Sequence, residues 1–146
     1  MKSPAELMLD IEAHVAELDR VGKLLDAAMD TYAEAEAQES ESKEAYDAAY
    51  DDSIAAQIEQ ASNSDERLPS DNKMEALARV ECRTELQTLS RAQRQTKRAR
   101  RLKEKLEKAA SREGNMLNGR QSELSTLRVE ASATPAQQPA WSGQAA

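Results

Sequence analysis

Large apolar side chains are scarce in this sequence, and that scarcity limits what it can fold into. The 146 residues include no Phe, one Trp and three Tyr, and much of the 39% hydrophobic fraction is Ala. A thick layered core needs Phe, Ile, Val and Leu in number, so burial here must be confined to a narrow seam between helices. Only four Gly interrupt a chain rich in Ala, Glu, Arg, Gln and Lys. Such a composition is that of long helices and coiled coils. The length suits one domain, or one elongated unit with a tail.

The apolar pattern predicts an all-α fold, a long antiparallel two-helix hairpin with coiled-coil character. Residues 1–130 form the hairpin: helix 1 at about 4–61, a turn at 62–70, and helix 2 at about 71–130. Ser3, Pro4 and Glu6 make a capping box with proline at the first helical position. Ile11, Val15, Leu18, Leu25, Met29 and Tyr32 then follow one helical face, weakened at Gly22. The stripe resumes at Tyr46, Tyr50, Ile54 and Ile58 with a spacing of four. That drift argues against a strict left-handed coiled coil over the whole length.

The run Ala61-Ser62-Asn63-Ser64-Asp65-Glu66-Arg67-Leu68-Pro69-Ser70-Asp71 reads as the turn, with Ser70, Asp71 and Asn72 as competent N-caps. In helix 2 the expected seam is Leu77, Cys82, Leu86, Leu89, Ala99, Leu102, Leu106, Ala109, Met116, Leu124 and Leu127. Gly114-Asn115 and Gly119 predict a kink or short break. Each helix would extend about 80 Å. From Ala131 to Ala146 no period remains, and the segment reads as a disordered tail. A two-helix seam of this kind covers its leucines on one side only. The hairpin is therefore expected to pair with further copies as a homo-oligomeric helical bundle.

Charge is segregated along the chain. Residues 1–61 carry 16 acidic and 4 basic side chains, a net of −12, whereas residues 91–112 carry 10 basic and 2 acidic ones, a net of +8. Arg91, Arg94, Arg98, Arg101, Lys105, Lys108 and Arg112 recur at three-four spacing and line one helical face, beside Leu102 and Leu106. With a turn about residues 65–66, position i lies opposite 131 − i, so 91–112 faces 19–40. That segment holds Asp19, Asp26, Asp30, Glu34, Glu36 and Glu39 against Arg20 and Lys23. The stripe is expected to pair with this acidic arm and set the register of the helices. Contact with phosphates is the alternative. The net charge of −7 disfavours nucleic acid and anionic membranes, and no aromatic residue interleaves the stripe as a stacking platform.

No cofactor fingerprint, metal-ligand cluster or catalytic set is evident, so the chain is expected not to be an enzyme and to need no cofactor or metal. His14, the only histidine, has Asp10 four residues before it but no further partner for a triad or a zinc site. Cys82 reads as a small core residue, although Arg79 and Arg83 would activate its thiol if it were exposed. Asp47, Asp51 and Asp52 lack the spacing and the glycine of a calcium loop and read as a solvated helix face. Tyr46 and Tyr50 form a helical i, i+4 packing pair. Trp141-Ser142-Gly143 is a literal W-x-G, but it lies in the tail rather than in a turn between helices. No apolar run approaches the roughly 20 residues that span a bilayer, and no signal core follows Met1, so a cytoplasmic location is expected.

Four segments carry a resemblance: Ala45-Tyr46-Asp47-Ala48-Ala49-Tyr50, Ala76 to Glu85, Arg101-Leu102-Lys103-Glu104-Lys105-Leu106, and Gln121 to Arg128. Together they resemble small acidic helical-hairpin proteins encoded by tailed bacteriophages, often near recombination and replication genes. The resemblance implies a viral accessory protein in the host cytoplasm that works by protein–protein contact, with no catalytic residues to carry over. A capsid-scaffold type of assembly protein, or an inhibitor of a host protein by acidic mimicry of nucleic acid, are the alternatives.

Overall fold

Ser3 opens the first helix as its sequence requires. In the computed structural model, which describes the backbone of residues 2–145 and the side chains of residues 2–132, the Ser3 hydroxyl accepts from the Glu6 N–H at 3.2 Å. The Glu6 carboxylate in turn accepts from the Ser3 N–H at 2.9 Å. This reciprocal pair satisfies two donors that a helix start leaves unpaired. From there α1 runs through Pro4–Asn63 without interruption.

It ends where Asp65 adopts φ 51, the described non-glycine residue with positive φ. Glu66 N–H then donates to the Ala61 carbonyl at 3.1 Å, closing a Schellman-type cap with aspartate in the left-handed position. The next helix begins at Ser70, whose extended backbone and hydroxyl, accepting from Lys73 N–H at 3.4 Å, make it the N-cap. Asn72, with its capping-box spacing to Glu75, lies instead inside the helix.

The second expected helix is two. α2 spans Asp71–Glu81 and α3 spans Arg83–Ala145, with the break at Cys82 (φ −94, ψ 18). No break occurs at Gly114 or Gly119, which correction has a physical reason. A glycine costs a helix interior only about 1 kcal/mol, which packing on neighbouring residues offsets. Cys82 instead marks a change of seam period. Met74, Ala78 and Cys82 are buried at spacings of four, and after Cys82 the spacing alternates three and four. The hydrogen bonds Cys82 N–H to Ala78 and Leu86 N–H to Cys82, both 2.9 Å, carry the ladder across the distortion. The backbone of α3 takes in Ala131 to Ala145 of the expected tail, 131–146, whose side chains beyond Ser132 lie outside the described residues.

The chain forms two compact units, Met1–Asp26 with Glu104–Ala146, and Ala27–Lys103. Within Ala27–Lys103, the buried and half-buried positions of α1 include the run 28, 32, 35, 39, 42, 46, 49 and 53, after which buried 57 and 61 follow at spacings of four. Those of α3 include 85, 89, 92, 96, 99 and 103, continuing from Cys82. The run to 53 and the run from Cys82 alternate three and four, a seven-residue repeat. Of the expected seam, Tyr32, Tyr46, Cys82, Leu89 and Ala99 are buried or half-buried, and the correction concerns other positions. Ala28, Ala35, Ser53, Gln57 and Ala61 are buried on α1, against Ala78, Ala92, Thr96 and Ala99. Met29, Ile58, Leu77, Leu86 and Leu102, expected inside, are exposed.

Small residues at the contact let the backbones come close enough for side chains to reach across to carbonyls. Thr96 donates to the Ala35 carbonyl at 3.2 Å, and Gln57 to the Met74 carbonyl at 3.0 Å. Ser53 donates to the Glu81 carboxylate at 2.5 Å. In each pair the second residue number lies within a few of 131 minus the first, the register that the turn position implies. The other unit has the same alternation, with Leu7, Val21 and Leu124 buried. There His14 Nδ1 lies 2.8 Å from Glu113 Oε2, and Val15 and Met116 are exposed.

Gly114 and Gly119 lie inside α3 with nothing within 4 Å of an added Cβ. Gly114→Ala and Gly119→Ala should each raise stability by about 0.5–1 kcal/mol. A drop in melting temperature would show that the helix is broken there after all. Ala78 is fully buried, so Ala78→Leu should cost about 1–3 kcal/mol, read by urea denaturation.

Candidate functional site

The seven basic residues lie on α3 in a strict repeat of three and four, and every one is exposed. Arg91, Arg94, Arg98 and Arg101 belong to the unit Ala27–Lys103; Lys105, Lys108 and Arg112 belong to the other. In the first unit α3 buries Leu89, Ala92, Thr96 and Ala99. At about 100° per residue, the four arginines fall on the opposite side of the helix from these four. They therefore point away from the seam rather than lying beside it.

That geometry corrects the expected pairing with the acidic arm. Among the described residues, none of the seven forms an ion pair within 4 Å. Glu39 lines a shallow groove with Arg94, Lys97 and Arg100, and Glu34 lines another with Arg98. Neither carboxylate forms an ion pair with the stripe within 4 Å among the described residues. Exposed charges at such range contribute little and are screened by salt.

The basic block meets α1 through an aromatic ring instead. Lys103 Nζ sits 5.0 Å from the Tyr32 ring centroid and the Arg100 guanidinium 5.8 Å from it. Arg100 Nε also donates to the Tyr32 hydroxyl at 3.3 Å. Two cations against one ring, one of them hydrogen-bonded to its hydroxyl, fix this part of the helix pair. Tyr32 was legible as a seam residue, but its cationic partners were not, because they come from residues 68 and more positions away.

A second charged array went unread in the sequence. Asp30, Glu34, Glu41, Glu44 and Asp51 are exposed on α1 and follow the same three-four repeat, with Ala37 and Ala48 at the intervening positions. Their repeat places them opposite the buried Ala28, Ala35 and Ser53. None of these five carboxylates has an ion pair within 4 Å among the described residues. The signal was available as a seven-residue spacing of acids, hidden by the many other acids of the arm. Asp47, Asp51 and Asp52 are all exposed, as a solvated face requires.

The remaining singled-out residues are absorbed into packing. Cys82 is 2% exposed at the helix break; burial, then Glu85, Glu81 and Asp52, push its thiol pKa up. A raised pKa keeps the thiol protonated and a poor nucleophile. Tyr46 and Tyr50 stack at 6.1 Å between centroids with a 44° tilt, and burial followed by Glu75 raises the Tyr50 pKa. In the other unit, Asp10 is held below the usual carboxylate range, first by the hydrogen bond from Lys2, with Arg120 also 3.7 Å away. Among the described residues no group of three or more His, Cys, Asp and Glu side chains is placed to hold a metal ion. None of the described helices is long and apolar enough to cross a membrane. The side chains of Trp141 to Gly143 lie outside the described residues.

Since the stripe faces outward, reversing Arg91, Arg94, Arg98 and Arg101 to Glu should leave helix content unchanged. In dilute solution the melting temperature should move by no more than about 3 °C. A larger loss, restored by reversing Asp30 and Glu34 to Lys in the same chain, would return the stripe to an intramolecular role.

Comparison with protein families, with curated proteins and with solved structures finds no match to this chain.

Proposed function

We propose that this chain is a non-enzymatic accessory protein that acts through protein–protein contacts, folded as a long antiparallel hairpin that associates into oligomers. The observation that carries the reading is a set of large apolar side chains left open beside a narrow seam. Met8, Val15 and Met116 in one unit and Met29, Leu86 and Leu102 in the other are 39–51% exposed. Apolar side chains left open beside a seam are what a further helix would cover. The sequence resemblance to phage-encoded hairpins supports a setting beside DNA recombination or replication proteins in the host cytoplasm.

A second reading, a structural assembly or scaffolding protein, is favoured by a separate observation. Two unpaired, exposed arrays of opposite sign lie on different helices of one unit, which suits repeated head-to-tail contact. Nucleic acid on the basic array is disfavoured by the net charge of −7.

Mass measured by light scattering, with and without duplex DNA, tests the reading. The expected result is a small defined oligomer for the accessory protein, or concentration-dependent growth for the assembly protein, with neither taking up DNA. A monomer at high micromolar concentration that binds DNA with steep salt dependence would overturn both.

A further inference from the structure

We infer that the partner of the basic array is a second copy of this chain: Arg91, Arg94, Arg98 and Arg101 of one molecule lie along Asp30, Glu34, Glu41, Glu44 and Asp51 of the next. The inference rests on the protein-contact reading and names the partner and the surface. Its ground is charge complementarity with a shared period. Both arrays step three and four, both are exposed, and both lie on the side of their helix away from the seam. A common seven-residue repeat lets two helices keep their charges in contact over several turns, which unmatched periods do not.

The same geometry stops a molecule from satisfying itself. Both arrays lie away from the buried seam, and although Glu34 and Arg98 line one groove, neither array forms an ion pair within its own chain among the described residues. Between molecules no such barrier exists. Ala37 and Ala48 occupy the remaining positions of the acidic repeat, so the alkyl stems of incoming arginines have small neighbours to lie against. In the sequence the basic repeat runs on through Lys105, Lys108 and Arg112, making it 22 residues from first to last, the same as Asp30 to Asp51.

The two faces differ, so the contact is heterologous, and every molecule added presents a fresh face of each sign. Such contacts grow into rings or open chains rather than stopping at a two-fold dimer. A nucleic acid on the basic array would leave the acidic array unmatched, and the carboxylates of the same unit would repel its phosphates. An exposed ion pair multiplies affinity by about 1.5 to 5, so four together give about 5-fold to 600-fold, all of it sensitive to salt.

Two variants test this: one with Arg91, Arg94, Arg98 and Arg101 changed to Glu, the other with Asp30, Glu34, Glu41 and Glu44 changed to Lys. Sedimentation at low salt should show growth for the unmodified chain. Each variant alone, having two faces of one sign, should associate at least about fivefold more weakly. An equimolar mixture of the two should restore assembly, because one now carries only acidic and the other only basic arrays. High salt should reverse assembly in both the unmodified chain and the mixture. Variants with Gln in place of the four arginines, or of the four acids, keep the test open if a reversal lowers helix content. Each should lose association without repelling itself.

Association of each variant as strong as that of the unmodified chain would overturn the inference while leaving protein contact through the apolar flanks intact. So would a mixture that fails to assemble. A strictly monomeric unmodified chain would overturn the inference and the underlying reading together.

Discussion

The close approach of α1 to the helices that follow it, over small side chains, is the contact on which the remainder of the unit Ala27–Lys103 depends. Ala35 and Thr96 illustrate it: a threonine hydroxyl on one helix reaches a backbone carbonyl on the other at 3.2 Å. Longer side chains at those positions would hold the backbones too far apart for that bond. Each buried alanine removes little apolar surface from water, at roughly 0.8 kcal/mol per buried methyl-sized group. A seam of this kind therefore needs length, and the seven-residue repeat supplies it by keeping the small residues in register turn after turn.

Placing alanine inside has a consequence for the large apolar residues. Val15, Met29, Leu86, Leu102 and Met116 fall one position around the helix from the seam and stay accessible. The charged arrays fall farther round still. From seam to outer face, the unit Ala27–Lys103 thus passes from alanine and threonine through half-exposed leucine and methionine to arginine on α3 and carboxylate on α1. A single periodicity, the repeat of seven, orders all three bands.

The seam of the same unit also holds polar side chains. Ser53, Gln57 and Thr96 are buried, and each is hydrogen-bonded. Burying a hydroxyl or amide is costly unless it finds a partner. Here the partners are a carboxylate or a backbone carbonyl on the facing helix, so the bonds favour one register over a slip of three or four residues. Glu85 Oε2 is the exception, a buried oxygen without a hydrogen-bond partner about one turn from the Ser53–Glu81 bond. Its position close to Cys82 puts it where the seam period changes.

The all-helical class, the Ser3 cap, the turn before Ser70 and the opposition of i to 131 − i were legible in the sequence, because each follows from local chemistry. Capping side chains, a cluster of turn residues and helix propensity act within a few residues. The position of the turn then dictates which residues can meet. What the sequence did not disclose is which of two adjacent stripes would be buried. Hydrophobicity alone would make Ile11, Val15, Leu18, Leu25, Met29 and Tyr32 the innermost face of α1. The packed helices keep Ile11, Leu18, Leu25 and Tyr32 half-buried, bury Leu7, Val21, Ala28 and Ala35 most deeply, and leave Val15 and Met29 open; in the unit Ala27–Lys103 small residues on both helices bring carbonyls within reach of side chains. Complementarity of two surfaces is a property of the pair, not of either helix. It also decided that the basic stripe would face solvent, since turning the seam by one position turns every charge with it.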